Sequence, residues 1–422
     1  MIESTTRRIF LRQLPLLACP AVLPAASLVQ VSTLLAGTPA GGEDYWLMVR
    51  RQFAFREDKV PMNAANMCPS PRIVAEQVTE LTRDIDVDCS FQNRAKFAEL
   101  LETSRRKVAQ HLGVSSDEIA LVRNTSEANN TINNGLALKA GDEVVLWDQN
   151  HPTNNVAWDV RAARYGLQVK RVATPAKPTD IDQIIKAFTD VFTANTRVLA
   201  LTHVSNVSGV RLPVRQLCEA AQHRGIFVHV DGAQSWGALH VNLRELNCDS
   251  YSASAHKWLL GPKEVGILFV RHERIGEIWP NVVAPGWGNR VQPEVSGARK
   301  FESLGQRDDA ALVAIATAID FHLAIGPDRV EARMLDLANS LMGSLKEAGI
   351  EVLTPLDSTH SAGVCVINVP LAKREEIYNK LYVEHGIAGA STGGLRLCPH
   401  VYNTREHIER ATRAVKSLLG KG

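Results

Sequence analysis

The sequence predicts an α/β protein in which a large domain, doubly wound around a mostly parallel sheet, is followed by a smaller α+β domain at the C-terminal end. Three observations predict it. Between residues 118 and 270, five short runs rich in Val, Ile and Leu alternate with helical segments, the pattern of buried parallel strands under crossover helices. From about Asp308 onward the texture changes to longer amphipathic helices. The chain has 422 residues, 45% of them hydrophobic, which is enough to build two domains sharing one cleft.

The N-terminus stands apart. Thr6-Arg7-Arg8-Ile9-Phe10-Leu11-Arg12 precedes an apolar and small-residue stretch from Leu14 to about Ala40. Twin arginines followed by Phe-Leu and a moderately apolar run resemble a Tat export signal, which carries proteins across the membrane already folded. The bland alternative is an uncleaved anchor or a chance Arg-Arg. Cleavage could follow Ala26 or Ala40, and Leu16-Leu17-Ala18-Cys19 only loosely resembles a lipoprotein cleavage box. The expected organisation is a signal segment over 1–40, a segment over 41–60 that packs with the small domain, a large domain over 61–307 and a small domain over 308–422. The signal implies a periplasmic or otherwise exported protein that engages the Tat translocation machinery.

Within the large domain the strand-like runs are 119–122, 143–147, 198–202, 226–230 and 265–270, with a crossover helix such as 213–223 between them. In the small domain, helices are expected over 310–323 and 328–348 and a strand over 364–369. A net charge of only +2, with dispersed Lys and Arg, argues against a nucleic-acid partner. Cys68, Cys89, Cys218, Cys248, Cys365 and Cys398 follow neither a metal-binding nor a disulfide spacing and read mostly as packed thiols, so no metal site is expected.

The residues that carry chemistry lie at the exits of these strands. Val230-Asp231-Gly232-Ala233-Gln234-Ser235 is followed by Ser254-Ala255-His256-Lys257-Trp258-Leu259-Leu260-Gly261-Pro262. An amine that can form a Schiff base with an aldehyde, plus a carboxylate that keeps a pyridine nitrogen protonated, is the minimal equipment for pyridoxal 5′-phosphate (PLP) chemistry. The chain between Asp231 and Lys257 is long enough for a crossover and a second strand, so the two can meet. Ligands on such sheets sit at the carboxyl ends of the strands, and Asp231 follows one such end.

The remaining candidates are individually weaker. The first strand runs into Arg123-Asn124-Thr125-Ser126-Glu127, where Thr125 or Ser126 can cap a helix whose free N–H groups suit a phosphate, although such a start is usually only a cap. His151, in Asn150-His151-Pro152, could stack on a pyridine ring or be an incidental loop residue. Asn206 and Gln234 could bond a phenolic oxygen from either side, or serve the turns they occupy. No Gly-x-Gly-x-x-Gly turn follows the first strand, which argues against a dehydrogenase.

In combination, Asp231-Gly232-Ala233-Gln234 and Ser254-Ala255-His256-Lys257 resemble the fold-type I PLP enzymes of the class V aminotransferase family, in their isopenicillin N epimerase-like branch. The resemblance covers nearly all of the chain beyond about residue 50. It implies that Lys257 is the Schiff-base lysine, that Asp231 pairs with the pyridine nitrogen, and that His151 stacks on the ring. By the same resemblance Asn206 and Gln234 touch the ring oxygen, while Thr125, Ser126, Ser254 and His256 hold the phosphate. Arg396, in Gly394-Leu395-Arg396-Leu397-Cys398, matches the arginine that grips a substrate carboxylate. A homodimer with its active site near the interface is implied too. Gln306 departs from the pattern, standing where relatives carry a threonine that reaches the partner subunit's phosphate. A second departure is the loop 385–394, which holds no cysteine where desulfurases of the family place their nucleophile.

The expected function is therefore that of an exported PLP-dependent enzyme. It would act at the α-carbon of an amino-acid substrate, or of the amino-acid moiety of a metabolite, by epimerase, aminotransferase or lyase chemistry. Trp287 and the loop 391–394 are candidate walls for that substrate. The competing readings are a cysteine desulfurase or C–S lyase-like enzyme, and a non-catalytic exported binding protein on a degenerate transferase scaffold.

Overall fold

The computed structural model describes residue 33 and residues 42–175, 178, 180–283 and 295–419. The twin-arginine segment and Trp287 lie outside them. Counting helices of eight residues or more, the elements in chain order are α1 (Glu43–Arg50), β1 (Val60–Pro61), α2 (Arg72–Val87), α3 (Lys96–Leu112), β2 (Ile119–Val122), α4 (Thr125–Gly135), β3 (Glu143–Trp147), α5 (Pro152–Tyr165), β4 (Gln168–Val172), α6 (Ile181–Thr189) and β5 (Thr196–Thr202). There follow α7 (Val214–Gln222), β6 (Phe227–Asp231), β7 (Ser250–Ser254), β8 (Gly266–Val270), α8 (Asp309–Ile325), α9 (Pro327–Glu347), β9 (Cys365–Ile367), α10 (Leu371–His385), β10 (Ile387–Ala388), β11 (Leu395–Leu397) and α11 (Arg405–Leu419).

Seven strands form the large sheet in the order β2-β8-β7-β6-β5-β3-β4. The pairs β4–β3, β3–β5, β5–β6 and β6–β7 are parallel, whereas β8 runs antiparallel to both of its neighbours. The mostly parallel sheet is thus present, but the run at 265–270 is not one of its parallel strands. The reason is local. Among residues 255–265 there is no helix to carry the chain back across the sheet, and a short return can only pair antiparallel. Two strands escape a search for apolar runs. β4 is an edge strand with the polar sequence Gln168-Val169-Lys170-Arg171-Val172, and β7 is Ser250-Tyr251-Ser252-Ala253-Ser254.

Strand alternation divides the core in two. Leu121, Val145, Leu199, Val228 and Ile267 belong to one buried cluster, while their neighbours Ala120, Val144, Val198, Phe227 and Leu268 belong to another on the opposite face. A third cluster lies beyond the sheet, where Leu337 and Leu341 of α9 pack with Cys365, Ile367, Leu395 and Leu397 of β9 and β11 and with Ile408 and Val415 of α11. Val60 and Met62 complete this third cluster, and Val60 pairs with Ile387 as β1 adds to β10. Helix α8 packs across α2 and α3. Of the cysteines, only Cys89 is exposed, and the five others described are buried.

Gly232 marks the closest approach in the sheet, directly after Asp231. A methyl group there would stand 1.9 Å from Cζ of Tyr251, whose hydroxyl bonds Ser235 Oγ at 2.8 Å. Gly232→Ala is therefore expected to destabilise the fold by about 3 kcal/mol through overpacking. Urea unfolding checks this, and a loss below about 0.5 kcal/mol would mean the Asp231 turn tolerates a side chain.

Candidate active site

The carboxyl ends of the parallel strands converge on one place. β6 ends on Asp231, β3 leads through Asn150 to His151, β5 leads to Asn206, and β7 ends on Ser254, three residues before Lys257. Arg396 arrives from β11. These groups sense one another electrostatically. Burial pulls the Lys257 ammonium below its ordinary pKa, with Asp231 opposing that shift and Arg396 adding to it. Burial likewise lowers His151, and Asp231, Lys257 and Arg396 all act on it.

Asp231 is 1% exposed and its carboxylate is held from both sides. The Ala233 N–H donates to Oδ1 at 3.0 Å, and the Asn129 amide donates to Oδ2 at 2.9 Å. Lys257, by contrast, has no hydrogen bond or ion pair among the described residues. His151 occupies the N-cap of α5, where Nδ1 accepts the Thr153 N–H at 3.2 Å and Pro152 fills the first helical position. The cap fixes the ring's direction, which a loose loop histidine would lack.

At the other end of the site, α4 begins directly after β2. The expected cap by Thr125 or Ser126 is corrected here, since Asn124 is the N-cap and its Oδ1 accepts the Glu127 N–H at 3.0 Å. Asn124 has the extended backbone that a cap requires, whereas Thr125 and Ser126 already lie in the helix. Thr125 and Ser254 nevertheless meet. The Thr125 N–H donates to Ser254 Oγ at 2.9 Å, and the two hydroxyls lie 2.7 Å apart. Ser126 sits in the same first turn. Burial depresses the His256 ring to about 4, which leaves it neutral, and its Nδ1 has no partner among the described residues.

Arg396 is 3% exposed, and its fork spans two loops. Nη1 donates to the Asn206 carbonyl at 3.0 Å and Nη2 to Asn63 Oδ1 at 3.2 Å. The Asn206 side chain itself is buried with Oδ1 unpartnered. Gln234 is held from two sides. Its amide nitrogen donates to the Ala65 carbonyl at 2.9 Å, and its oxygen accepts the Trp258 indole N–H at 2.8 Å. It therefore ties the segment after β1 to the residue next to Lys257. Gln306 lies outside this cluster, where its oxygen accepts from Arg94 at 2.7 Å.

Three residues missing from the candidate set belong to the site: Asn63, Asn129 and His229. Asn129 stands one helical turn beyond Thr125, and His229 shares a face of β6 with Asp231 because side chains two apart in a strand point the same way. Both spacings were readable once a helix and a strand were assigned there. Asn63 carried no local signal.

The residues present fit PLP. An unpartnered amine and a doubly held carboxylate face the same space, and the Asn206 oxygen is buried without a partner. At the far end, the N-terminus of α4 meets the Ser254 hydroxyl through Thr125, and the neutral His256 imidazole follows two residues after Ser254.

Comparison with known proteins gives the same picture. Residues 69–415 match the family model for class-V aminotransferases. The chain is 31% identical over 394 residues to isopenicillin N epimerase of Amycolatopsis lactamdurans, covering 88% of this chain and 98% of that protein. It is 27% identical over 402 residues to a probable cysteine desulfurase of Methanothermobacter thermautotrophicus, covering 89% and 98%. Among solved structures, a C-DES mutant with glycine covalently linked to the PLP cofactor superposes with a TM-score of 0.81 at 22% identity, covering 88% of this chain and 99% of that one. The apo cysteine desulfurase of Thermococcus onnurineus NA1 gives 0.80 at 24% identity, covering 90% and 99%. The chain belongs to the class-V aminotransferase family of PLP-dependent enzymes.

Proposed function

We infer from this membership that the chain acts at the α-carbon of an amino-acid substrate, or of the amino-acid part of a metabolite, with proton removal as the first bond change. The observation that carries the reading is Lys257, an amine without a partner, facing a buried carboxylate and lying within electrostatic reach of the Arg396 guanidinium. When bound, PLP supplies a conjugated ring that delocalises the electron pair left on the α-carbon. Lys257 would hold its aldehyde, Asp231 its ring nitrogen and His151 its face. Thr125, Ser126, Ser254 and His256 would hold its phosphate, and Asn206 its ring oxygen.

The chain's own groups supply the rest. Desolvation favours the neutral form of the Lys257 amine, so Nζ is suited to take a proton from carbon and return it. Arg396 presents a planar fork for a carboxylate, and its Nε has no partner. Support for proton transfer over sulfur transfer comes from the cysteines. The described loop 385–394 contains none, and Cys398, two residues from Arg396, is buried with its thiol pushed up by that burial. The relationship to isopenicillin N epimerase fits such chemistry. We also read the Arg7-Arg8 segment as a Tat export signal, the enzyme as periplasmic or otherwise exported, and its assembly as a homodimer. The first two rest on residues 6–40 and the third on the family resemblance.

The holoenzyme incubated with amino acids and peptide metabolites in deuterated water should place deuterium on the α-carbon, read by mass spectrometry. Lys257→Ala should abolish that exchange, and full exchange by this variant would end the reading. Arg396→Ala should raise KM for carboxylate-bearing substrates by about 100-fold, with Arg396→Lys restoring little of it because a lysine cannot bind in bidentate fashion. Equal KM values across the three forms would remove Arg396 from substrate binding.

A further inference from the structure

Behind Asp231 lies a run of polar side chains that the mechanism above does not use. Asn129 is 2% exposed and His229 1%, and Ser250 and Ser252 are wholly buried. The Asn129 amide donates to Asp231 Oδ2 at 2.9 Å. Its oxygen faces His229 Nε2 at 2.9 Å and also accepts from Ser252 Oγ. On the far side of the ring, His229 Nδ1 lies 2.8 Å from Ser250 Oγ.

The chemistry of the donors fixes every hydrogen. A carboxylate only accepts, so the amide nitrogen of Asn129 must face Asp231 and its oxygen must face away. That oxygen cannot donate, so His229 Nε2 carries the hydrogen. Burial lowers the ring to about 4 and keeps it neutral, which leaves Nδ1 bare to accept the Ser250 hydroxyl. All four hydrogen bonds then point one way, from β7 through the imidazole and the amide to the carboxylate. Their participants come from three elements, β7, β6 and α4.

We propose that Asn129 and His229 are positioning residues that hold Asp231 as an acceptor aimed at the cofactor's ring nitrogen. The proposal rests on the PLP reading above. Removing the Asn129 donor leaves a buried carboxylate oxygen unpaired and free to rotate. Removing the His229 donor leaves the Asn129 oxygen held by Ser252 alone, so the amide nitrogen is less firmly aimed at the carboxylate. Ser250 and Ser252 explain why a central strand of the sheet reads as polar: their hydroxyls face α4 and β6 and complete the chain of donors.

The test compares holoenzymes of the native chain, Asn129→Leu, His229→Phe and His229→Gln. Asn129→Leu keeps the branching of the side chain but neither donates nor accepts. It should change the visible absorbance of bound PLP and lower kcat by about 10- to 100-fold with KM nearly constant. His229→Phe should move both readouts in the same direction and by less. His229→Gln can still donate to Asn129 and accept from Ser250, so it should return them to within about 3-fold of the native chain. Unchanged absorbance and kcat in Asn129→Leu and His229→Phe would overturn the proposal.

A second measurement does not depend on the variants folding or on the cofactor. In the native protein with ¹⁵N-labelled histidine, NMR at pH 7 should show His229 neutral, with its hydrogen on Nε2. A hydrogen on Nδ1, or a charged ring, would overturn the proposal by itself. A native chain that takes up no PLP but shows the Nε2–H ring would instead defeat the functional reading and leave the hydrogen-bonded chain standing.

Discussion

A carboxylate has been placed at the end of a central strand, out of reach of water, beside a lysine that has been given nothing to bond. Burial of a charge costs several kcal/mol unless its lone pairs are filled, so the surroundings of Asp231 have to supply donors before any ligand arrives. Ala233 supplies one from the turn that follows the strand, and Asn129 supplies the other from α4. That requirement explains much of the local sequence. It explains an asparagine on the buried face of α4, a histidine inside β6, and Ser250 and Ser252 on one face of β7, where packing alone would favour Val or Ile.

The lysine imposes the opposite condition. Its segment has to be held rigidly by its neighbours while Nζ itself stays free. Trp258 is pinned through its indole N–H by Gln234 and through its carbonyl by the His400 Nε2, 2.9 Å away. Leu260 takes a positive φ of 61° in the same turn, and Gly237 approaches the Trp258 backbone so closely that a methyl group would stand 2.5 Å from the Leu259 nitrogen. The short return into β8 that reverses one strand of the sheet follows from this turn.

Much of this was legible in the chain. The apolar runs located five of the seven sheet strands, and the motifs around Asp231 and Lys257 located the site and its cofactor. What escaped did so for physical reasons. β4 lies at an edge, where one side faces solvent and apolar character is not needed, and β7 trades apolar side chains for hydroxyls that serve Asp231. The cap of α4 was read one or two residues late because Asn, Thr and Ser follow in succession and any of them caps well. For Gln234 the resemblance named a ligand contact, and only the fold revealed its bonds to Ala65 and Trp258. Asn63 meets Arg396 across more than three hundred residues of chain, a proximity that no local pattern encodes.

The stretch from Val60 to Cys68 touches more of the molecule than its length suggests. One end is stitched to β10 through Val60, and the other to the lysine loop through the bond from the Cys68 N–H to the His256 carbonyl at 2.8 Å. Between them, Asn63 takes the Arg396 fork and Ala65 takes the Gln234 amide. A few residues of nearly inextensible backbone thus tie the surroundings of the Arg396 guanidinium to the loop that carries the Lys257 amine.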